Sequence, residues 1–182
     1  MAIFKSKRTA IVVCILLVLV AVLFGSHRSL NALRTDALKV YTNGDETGLS
    51  ILANMNSIQE YAAALLKNAA AYYDKNDSAF AAVQTAYCKL TAADAEPQSQ
   101  RQALNALLDA CTALQLDYTG SNAVPQDAAK ALTRSINDII SMKDQIRHSG
   151  YNTLAADFNA VLDTFPAGLL GGLTGVQPLP LF

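Results

Sequence analysis

A chain of 182 residues is long enough for one domain with an anchor and too short for two sizeable domains. Its residues are 52% hydrophobic but only 7% aromatic, and alanine and leucine, both strong helix formers, supply much of the apolar content, which predicts an all-α fold. The formal net charge is −1, but without Lys5, Lys7 and Arg8 the body carries 11 basic against 15 acidic residues, a mildly acidic balance without a basic patch that argues against nucleic-acid binding.

The N-terminus divides into a short basic segment, residues 1–8, and an uncharged apolar run, residues 9–26, TAIVVCILLVLVAVLFGS. As a helix this run spans about 27 Å, close to the hydrocarbon thickness of a bilayer. A cleaved signal peptide is the alternative, since basic residues precede an apolar core. The run ends AVLFGSHRS, a poor cleavage site, and a helical pattern continues beyond it. We therefore predict a single-pass protein of the cell membrane, in contact with lipid through residues 9–26.

The side of the membrane that carries the body stays open. Basic residues are almost balanced across the run, with Lys5, Lys7 and Arg8 before it and Arg28, Arg34 and Lys39 after it. The positive-inside rule favours a cytoplasmic N-terminus and an external body by a margin of about one charge.

Residues 27–165 carry apolar stripes in alternating steps of three and four, the seam of helices that pack on one another as in coiled coils. The first stripes are Ile51, Met55, Ile58, Ala62, Leu65, Ala69 and Tyr72, and then Phe80, Val83, Tyr87 and Leu90. The later stripes are Leu104, Leu107, Cys111, Leu114 and Tyr118, and then Leu132, Ile136, Ile139, Met142, Ile146, Tyr151, Leu154, Phe158, Val161 and Phe165.

Polar segments separate these stripes. DKND at residues 74–77 ends the first, and Asp77 or Ser78 can cap the next helix. Pro97 reads as an early helix residue, residues 118–127 as an interhelical loop, and Pro125 as the start of the last helix. A five-residue step from Ile146 to Tyr151, with Gly150 inside it, predicts a bend or an overwound turn in that helix. The predicted architecture is an antiparallel bundle of three or four long helices, the first continuous with or closely following the anchor, and an irregular apolar tail at residues 166–182 that contains glycine and proline.

Two of the three cysteines, Cys88 and Cys111, fall on apolar stripes, which predicts buried free thiols. If residues 94–97 form a tight antiparallel turn, Cys88 and Cys111 are offset by about 12 Å along the helix axes. A disulfide needs Cα atoms within about 7 Å, so we predict that these two cysteines are not bridged. Cys14 lies inside the apolar run.

The sequence shows no pattern typical of catalysis. His27 and His148 are solitary, and no HExxH, CxxC pair or GxxxxGK[ST] loop occurs. The Asp74 and Asp77 turn lacks the spaced ligands of a calcium loop. We therefore predict no catalytic, cofactor-binding or metal-binding residue and no cofactor.

Residues 151–175, YNTLAADFNAVLDTFPAGLLGGLTG, resemble the C-terminal end of the LemA family of bacterial membrane-anchored proteins. The final helix of that family carries a YN pair, a second aromatic–Asn pair, FP, and a short apolar tail with glycine. The matching pairs here are Tyr151-Asn152, Phe158-Asn159, Phe165-Pro166 and Gly171-Gly172. The family's first long helix usually carries a basic pair and a D-L-I-P-N-like stretch, which GLSILANMNSIQEYAAALLKNAAAYYD lacks, so the resemblance implies a divergent member. It also implies one membrane helix, a helical bundle and a cytoplasmic body; the family's molecular role is poorly defined.

The apolar tail has three interpretations. It can fold back over the bundle or the juxtamembrane helix, because an apolar segment this long seldom stays in water. It can enter the lipid interface beside the anchor, being too short and too rich in glycine to span a bilayer. It can also dock into a partner, since Pro178 and Pro180 favour an extended form.

The leading functional hypothesis is a non-enzymatic membrane protein whose bundle is a scaffold or adaptor for protein partners in the envelope. The second is an extracytoplasmic ligand-binding or sensory module with a pocket lined by Tyr72, Tyr87, Tyr118 or Tyr151. An enzyme would require titratable residues converging in space, for example carboxylates around His148.

Overall fold

The computed structural model describes residues 7–46, 48, 50–94, 96–120 and 124–182. Over these ranges every regular element is a helix, which confirms the predicted all-α class. The helices are α1 (Lys7–Asn43), α2 (Ile51–Ala69), α3 (Ser78–Ala92), α4 (Pro97–Gly120), α5 (Gln126–Arg147), α6 (Gly150–Leu162) and α7 (Ala167–Thr174).

The chain divides into two compact units, which are described separately. The anchor unit contains the chain up to Leu38 together with Leu154–Leu179. The bundle unit contains Lys39–Thr153 together with Pro180–Phe182.

Helix α1 is 37 residues long, or about 55 Å. It contains the predicted membrane segment and continues beyond it without a break, so the prediction of a continuous first helix is confirmed. No proline interrupts it, and buried side chains appear only after the apolar run, first at Leu30 and then at Ala37. Most of the predicted basic segment, residues 1–6, lies outside the described residues.

In the bundle unit, α2 packs on α5 and α3, and α4 packs on α3 and α5. Two of the predicted seams are confirmed almost in full. The buried residues of α2 include Ile51, Met55, Ile58, Ala62, Leu65 and Ala69, and those of α4 include Leu104, Leu107, Cys111, Leu114 and Tyr118. The predicted α2 stripe is wrong only at Tyr72, which follows the end of the helix and is exposed.

The buried face of α3 differs from the prediction. It passes through Ala86, and Tyr87 lies at its half-buried edge. Because α3 packs on both α2 and α4, its buried arc is wider than a single seam. Cys88 is two residues from both Ala86 and Leu90, which places it on the opposite side of the helix. The prediction of a buried thiol is therefore confirmed for Cys111 and wrong for Cys88, which is exposed.

Local hydrogen bonds fix the helix starts. The Ser50 hydroxyl accepts from the Ala53 amide at 2.9 Å and caps α2. Asp77 occupies the N-cap of α3, but its carboxylate accepts from the Asp74 amide at 2.7 Å, so it stabilises the DKND turn instead of capping the helix. Helix α4 begins at Pro97 as predicted, and α5 begins one residue after Pro125. Part of the predicted loop between them, residues 121–123, lies outside the described residues.

The predicted last helix is two helices. Helix α5 ends at Arg147 and α6 begins at Gly150, so the expected bend is a complete break. The Gly150 amide donates to the Asp45 carboxylate at 2.9 Å, and a Cβ at this position would lie 2.7 Å from the same oxygen. The contact with Asp45 therefore both satisfies the start of α6 and requires a residue without a side chain.

The prediction of an irregular tail is wrong for Ala167–Thr174, which form α7. Glycine disfavours helix, but two glycines of α7 allow close packing inside the anchor unit. A Cβ on Gly168 would lie 2.3 Å from the Leu162 carbonyl oxygen, and one on Gly171 would lie 2.9 Å from the Leu162 side chain. Gly175, at φ 73°, ends the helix in the left-handed conformation, and the residues after it are not helical.

Candidate functional site

No other described part of the protein buries the apolar N-terminal half of α1. Among the residues that the structure describes, one helix, within Thr9–Asn43, is long and apolar enough to cross a membrane by length and composition. Its most apolar window is wholly unburied. The exposed large side chains of this half are Ile11, Val12, Ile15, Leu16, Leu17, Val18, Leu19, Val20, Val22 and Phe24.

In the bundle unit, Asn152 holds the end of the tail by its main chain. Its side-chain oxygen accepts from the Phe182 amide at 2.8 Å, and its side-chain nitrogen donates to the Phe182 main-chain oxygen at 3.2 Å. The same nitrogen donates to the carbonyl groups of Ile146 and Arg147 at 3.1 and 2.9 Å. Asn152 therefore also caps the end of α5, where the Ser149 amide donates to the Ile146 carbonyl as well, at 3.1 Å.

In the anchor unit, Asn159 repeats this arrangement. Its side-chain oxygen accepts from the Leu179 amide at 2.8 Å, and its side-chain nitrogen donates to the Leu179 carbonyl at 2.7 Å. An asparagine amide carries an acceptor oxygen and a donor nitrogen side by side, so it can pair with both main-chain groups of one residue. We call Asn152 and Asn159 the tail clamp.

An aromatic cluster in the bundle unit surrounds the last residue. Tyr41, Tyr151 and Phe182 lie with ring centroids 5.4 to 6.0 Å apart, within the range of favourable edge and tilted contacts. The Tyr151 hydroxyl also donates to the Pro180 carbonyl at 3.0 Å. The pairs that carry the family resemblance, Tyr151-Asn152 and Phe158-Asn159, thus supply the tail clamp and two buried rings.

The fold-back interpretation of the tail is correct for one part of it. Val176 and Leu179 are buried, as fold-back requires. Leu169 and Leu173 of α7 are exposed to 60% and 67%, and Phe165, just before α7, to 86%. Half of the apolar tail thus packs against the protein, and the other half presents an apolar face to the surroundings.

The opposite side of α7 meets α1 inside the anchor unit. A cavity of about 340 Å³ is lined by Gly25, Ser26, Ser29, Leu30, Leu33, Val161, Pro166, Ala167 and Leu170. Gly171 is buried, and a Cβ on it would lie 3.8 Å from Leu30. Helix α7 therefore lies beside the residues of α1 that immediately follow the apolar run.

The four tyrosines proposed for a ligand pocket do not line one pocket. Tyr118 is buried, its hydroxyl 2.8 Å from that of Thr133, beside an open groove along α5. Tyr72 lines a different groove, beside Lys67 and Leu132. Tyr87 is half-buried on α3, and Tyr151 belongs to the aromatic cluster.

The candidate reactive groups are likewise dispersed. His148 is exposed, and its Nδ1 lies 2.8 Å from the Asp144 main-chain oxygen. His27 lies far away in the chain, with its Nε2 2.8 Å from the Asn31 amide nitrogen. No group of three or more His, Cys, Asp or Glu side chains able to hold a metal ion occurs within the described ranges.

Burial is the largest cause of a raised pKa at three titratable groups of the bundle unit; at one of them, Tyr73, the hydrogen bond to Asp117 raises the pKa further. Burial raises the pKa of the Cys111 thiol to about 12, which keeps this sulfur protonated and unreactive. Burial, with a smaller contribution from the charge of Glu96, raises the pKa of Tyr41 to about 12. Cys111 and Tyr41 are therefore neutral packing residues at physiological pH.

Sequence reasoning missed the role of the two asparagines. The signal was present as an aromatic–Asn pair repeated after seven residues, which puts both asparagines on one face of a helix. The sequence alone does not reveal what the asparagines bind, because their main-chain partners lie 20 and 30 residues further along the chain.

Comparison with known proteins gives no relative: no family model, no curated protein and no solved structure matches this chain.

Proposed function

We propose that this chain is a non-enzymatic, single-pass membrane protein in which α1 is the anchor and α2–α5 form an antiparallel bundle that acts as a scaffold or adaptor for envelope proteins. The observation that carries the proposal is the exposed apolar half of α1, continuous with a half that has buried side chains at Leu30 and Ala37. Helix α1 runs without a break from the apolar run to Asn43, so the anchor and the rest of the protein are joined by regular helix.

The surface of the bundle unit supports a binding role better than a chemical one. Its only described thiol other than the buried Cys111 is Cys88, exposed on α3 and distant in the chain from His148. Its large exposed apolar side chains are few and come from different elements: Tyr72, Leu116, Ile140 and Leu181. Single exposed apolar side chains are ordinary on a protein surface, so a partner of the bundle unit would meet a mostly polar surface.

The resemblance to the LemA family is also part of the proposal. Its motif residues, Tyr151, Asn152 and Asn159, all hold the C-terminal tail by its main chain or its rings. A shared device for holding an apolar tail would explain why such a motif stands at the end of the final helix. We therefore propose a divergent LemA-like protein.

Photo-crosslinking in cells tests the scaffold role. A benzophenone amino acid at Leu116 or Ile140 is expected to give a discrete adduct with another envelope protein after irradiation. The adduct should disappear when residues 9–26 are deleted, since the bundle is then no longer held at the membrane. Absence of discrete adducts from every exposed position of α2–α5 would contradict the scaffold proposal.

A further inference from the structure

The exposed apolar side chains outside the membrane run are concentrated in the anchor unit. Among the described residues, ten large apolar side chains are exposed outside this run, and six of them belong to the anchor unit: Leu33, Leu154, Val161, Phe165, Leu169 and Leu173. Two of them, Leu169 and Leu173, lie four residues apart in α7 and so share one face of the helix, and Phe165, the most exposed, lies two residues before its start. An exposed cluster of large apolar side chains is unfavourable in water and marks a surface that something covers.

The position of α7 along α1 indicates that lipid covers this exposed apolar surface. Gly171 packs toward Leu30, which is four residues, or about 6 Å along the helix, beyond the end of the apolar run at Ser26. The cavity between the two helices is lined by Gly25 and Ser26 as well as by Leu170. If residues 9–26 occupy the hydrocarbon, α7 lies at the level of the headgroups and the upper acyl chains, where interfacial helices bury their apolar face by about 5–10 Å.

The charge pattern at this level fits lipid. No charged residue follows Asp163, so nothing in the exposed face of α7 resists insertion. Arg28 is exposed on α1, two residues beyond Ser26, at the level of the lipid phosphates. A basic residue at this depth and an uncharged apolar helix beside it are the usual composition of an interfacial anchor.

We propose that α7 is a second, interfacial membrane contact, in which Phe165, Leu169 and Leu173 insert among the acyl chains where α1 leaves the bilayer. The proposal rests on the crossing of the membrane by residues 9–26. The anchor unit then has two membrane contacts. Helix α1 sets its depth in the bilayer, and α7 restricts its rotation and tilt. The buried residues Val176 and Leu179 and the Asn159 contact then tie the inserted helix back to the protein.

Lipid-borne quenchers test this directly with the full chain in phosphatidylcholine vesicles. The native cysteines are replaced by alanine, and one new cysteine carries an NBD fluorophore at Leu173, at Leu116 or at Leu17. Leu116 of α4 is the matched control, because it is a helical leucine exposed to 69%, against 67% for Leu173. Neither substitution removes packing. Leu17 reports the membrane run itself.

The expected result is a blue-shifted NBD emission at Leu173 that is quenched by lipid bearing a doxyl group near the headgroup end of its acyl chain. The fraction quenched at Leu173 by this shallow quencher should clearly exceed that at Leu116. Leu17, near the middle of the membrane run, should instead be quenched most strongly by lipid that bears its doxyl group near the far end of the acyl chain. Quenching at Leu173 no greater than at Leu116, with strong quenching at Leu17, overturns the interfacial role of α7 and leaves the membrane anchor intact. Weak quenching at all three sites overturns the anchor as well.

A second copy or a protein partner on α7 gives a different pattern. The emission at Leu173 would be blue-shifted but not quenched by doxyl lipid, and with a second copy the shift would fade as the lipid-to-protein ratio rises. Either result overturns the proposal. Quenching that is independent of this ratio supports it.

Discussion

Two asparagine side chains give the end of the chain a fixed place. Each pairs with the N–H and the C=O of one tail residue, Asn152 with Phe182 and Asn159 with Leu179. The pairing resembles the contact that a neighbouring strand would make, but it needs only one side chain per residue. Because both hydrogen bonds of each asparagine go to main-chain atoms, they fix the position of the tail without requiring particular side chains at Leu179 and Phe182.

Asn159→Asp should loosen the tail. A carboxylate still accepts from the Leu179 amide, but it cannot donate to the Leu179 carbonyl, which lies 2.7 Å from the present nitrogen. The expected loss is about 1–3 kcal/mol of unfolding free energy, measured by chemical denaturation of the full chain in detergent. Asn137→Asp on the exposed face of α5 is the control and should change stability by less than about 0.5 kcal/mol. Equal effects of the two substitutions would show that Asn159 does not hold the tail.

The two tyrosines of the aromatic cluster should respond differently to loss of the hydroxyl. Tyr151→Phe leaves the Pro180 carbonyl without its donor and should cost about 1 kcal/mol or more. The Tyr41 hydroxyl is buried and has no hydrogen-bond partner in the described part of the protein, so Tyr41→Phe should be neutral or stabilising. Thermal unfolding of both variants, followed by circular dichroism, separates the cases. A larger loss for Tyr41→Phe would contradict this assignment.

At the scale of the elements, α7 depends on how its glycines are placed. Gly168→Ala would put a Cβ 2.3 Å from the Leu162 carbonyl, so the corner between α6 and α7 must open. We expect a cost of about 1–3 kcal/mol. Gly172 has nothing within 4 Å of its would-be Cβ, so Gly172→Ala should stabilise α7 by up to about 1 kcal/mol.

Hydrogen exchange over the amides of α7 measures both effects locally. Exchange should become faster in Gly168→Ala and slower in Gly172→Ala. The opposite order would mean that α7 does not pack as described.

The elements that sequence could predict are those whose signal is local. The seams of α2 and α4 follow from the spacing of Ile51, Met55, Leu107 and Leu114, because a helix period of 3.6 residues puts such positions on one face. The break before α6 could not be predicted in the same way. It depends on the bond between Gly150 and Asp45, 105 residues apart in sequence.

Helix α7 was missed for a related reason. Its glycines disfavour helix by intrinsic propensity, and the compensation is close packing of Gly171 near Leu30 and Leu162. The exposed position of Cys88 has a local reason: two residues from both Ala86 and Leu90, it lies on the other side of α3 from the buried face. For the break before α6 and for α7, by contrast, a contact distant in sequence decides the outcome, whereas the pattern along the chain reports only local periodicity.

For the whole molecule, alkaline pH should be destabilising. The folded protein holds protons on Cys111 and Tyr41, whose pKa values burial raises to about 12. Unfolding returns these groups to their ordinary values, 9.0 for the thiol and 10.0 for the phenol. Stability is therefore complete below about pH 9 and is lost as the pH rises toward 12, by about 1.4 kcal/mol per pH unit for each proton that only the folded state retains.

Denaturation of the full chain in detergent across this pH range checks the prediction. Replacing buried Cys111 with alanine should reduce the slope of stability against pH, whatever it does to stability at neutral pH. Replacing exposed Cys88 with alanine should leave the slope unchanged. A slope that is the same in all three proteins would contradict the role assigned to Cys111.

The central claim is that residues 9–26 of α1 cross a membrane, and the native cysteines provide the most direct test. The described protein leaves both Cys14 and Cys88 exposed, so burial within the fold does not account for a difference in their labelling. The sample is membranes broken open so that both faces are accessible, containing a variant that keeps either Cys14 or Cys88 as its single cysteine. A polar maleimide should label Cys88 and not Cys14. Cys14 should react only after detergent solubilisation and denaturation. Labelling of Cys14 as fast as Cys88 in the undissolved membranes would contradict the crossing, and with it the membrane-anchored scaffold and the interfacial role of α7.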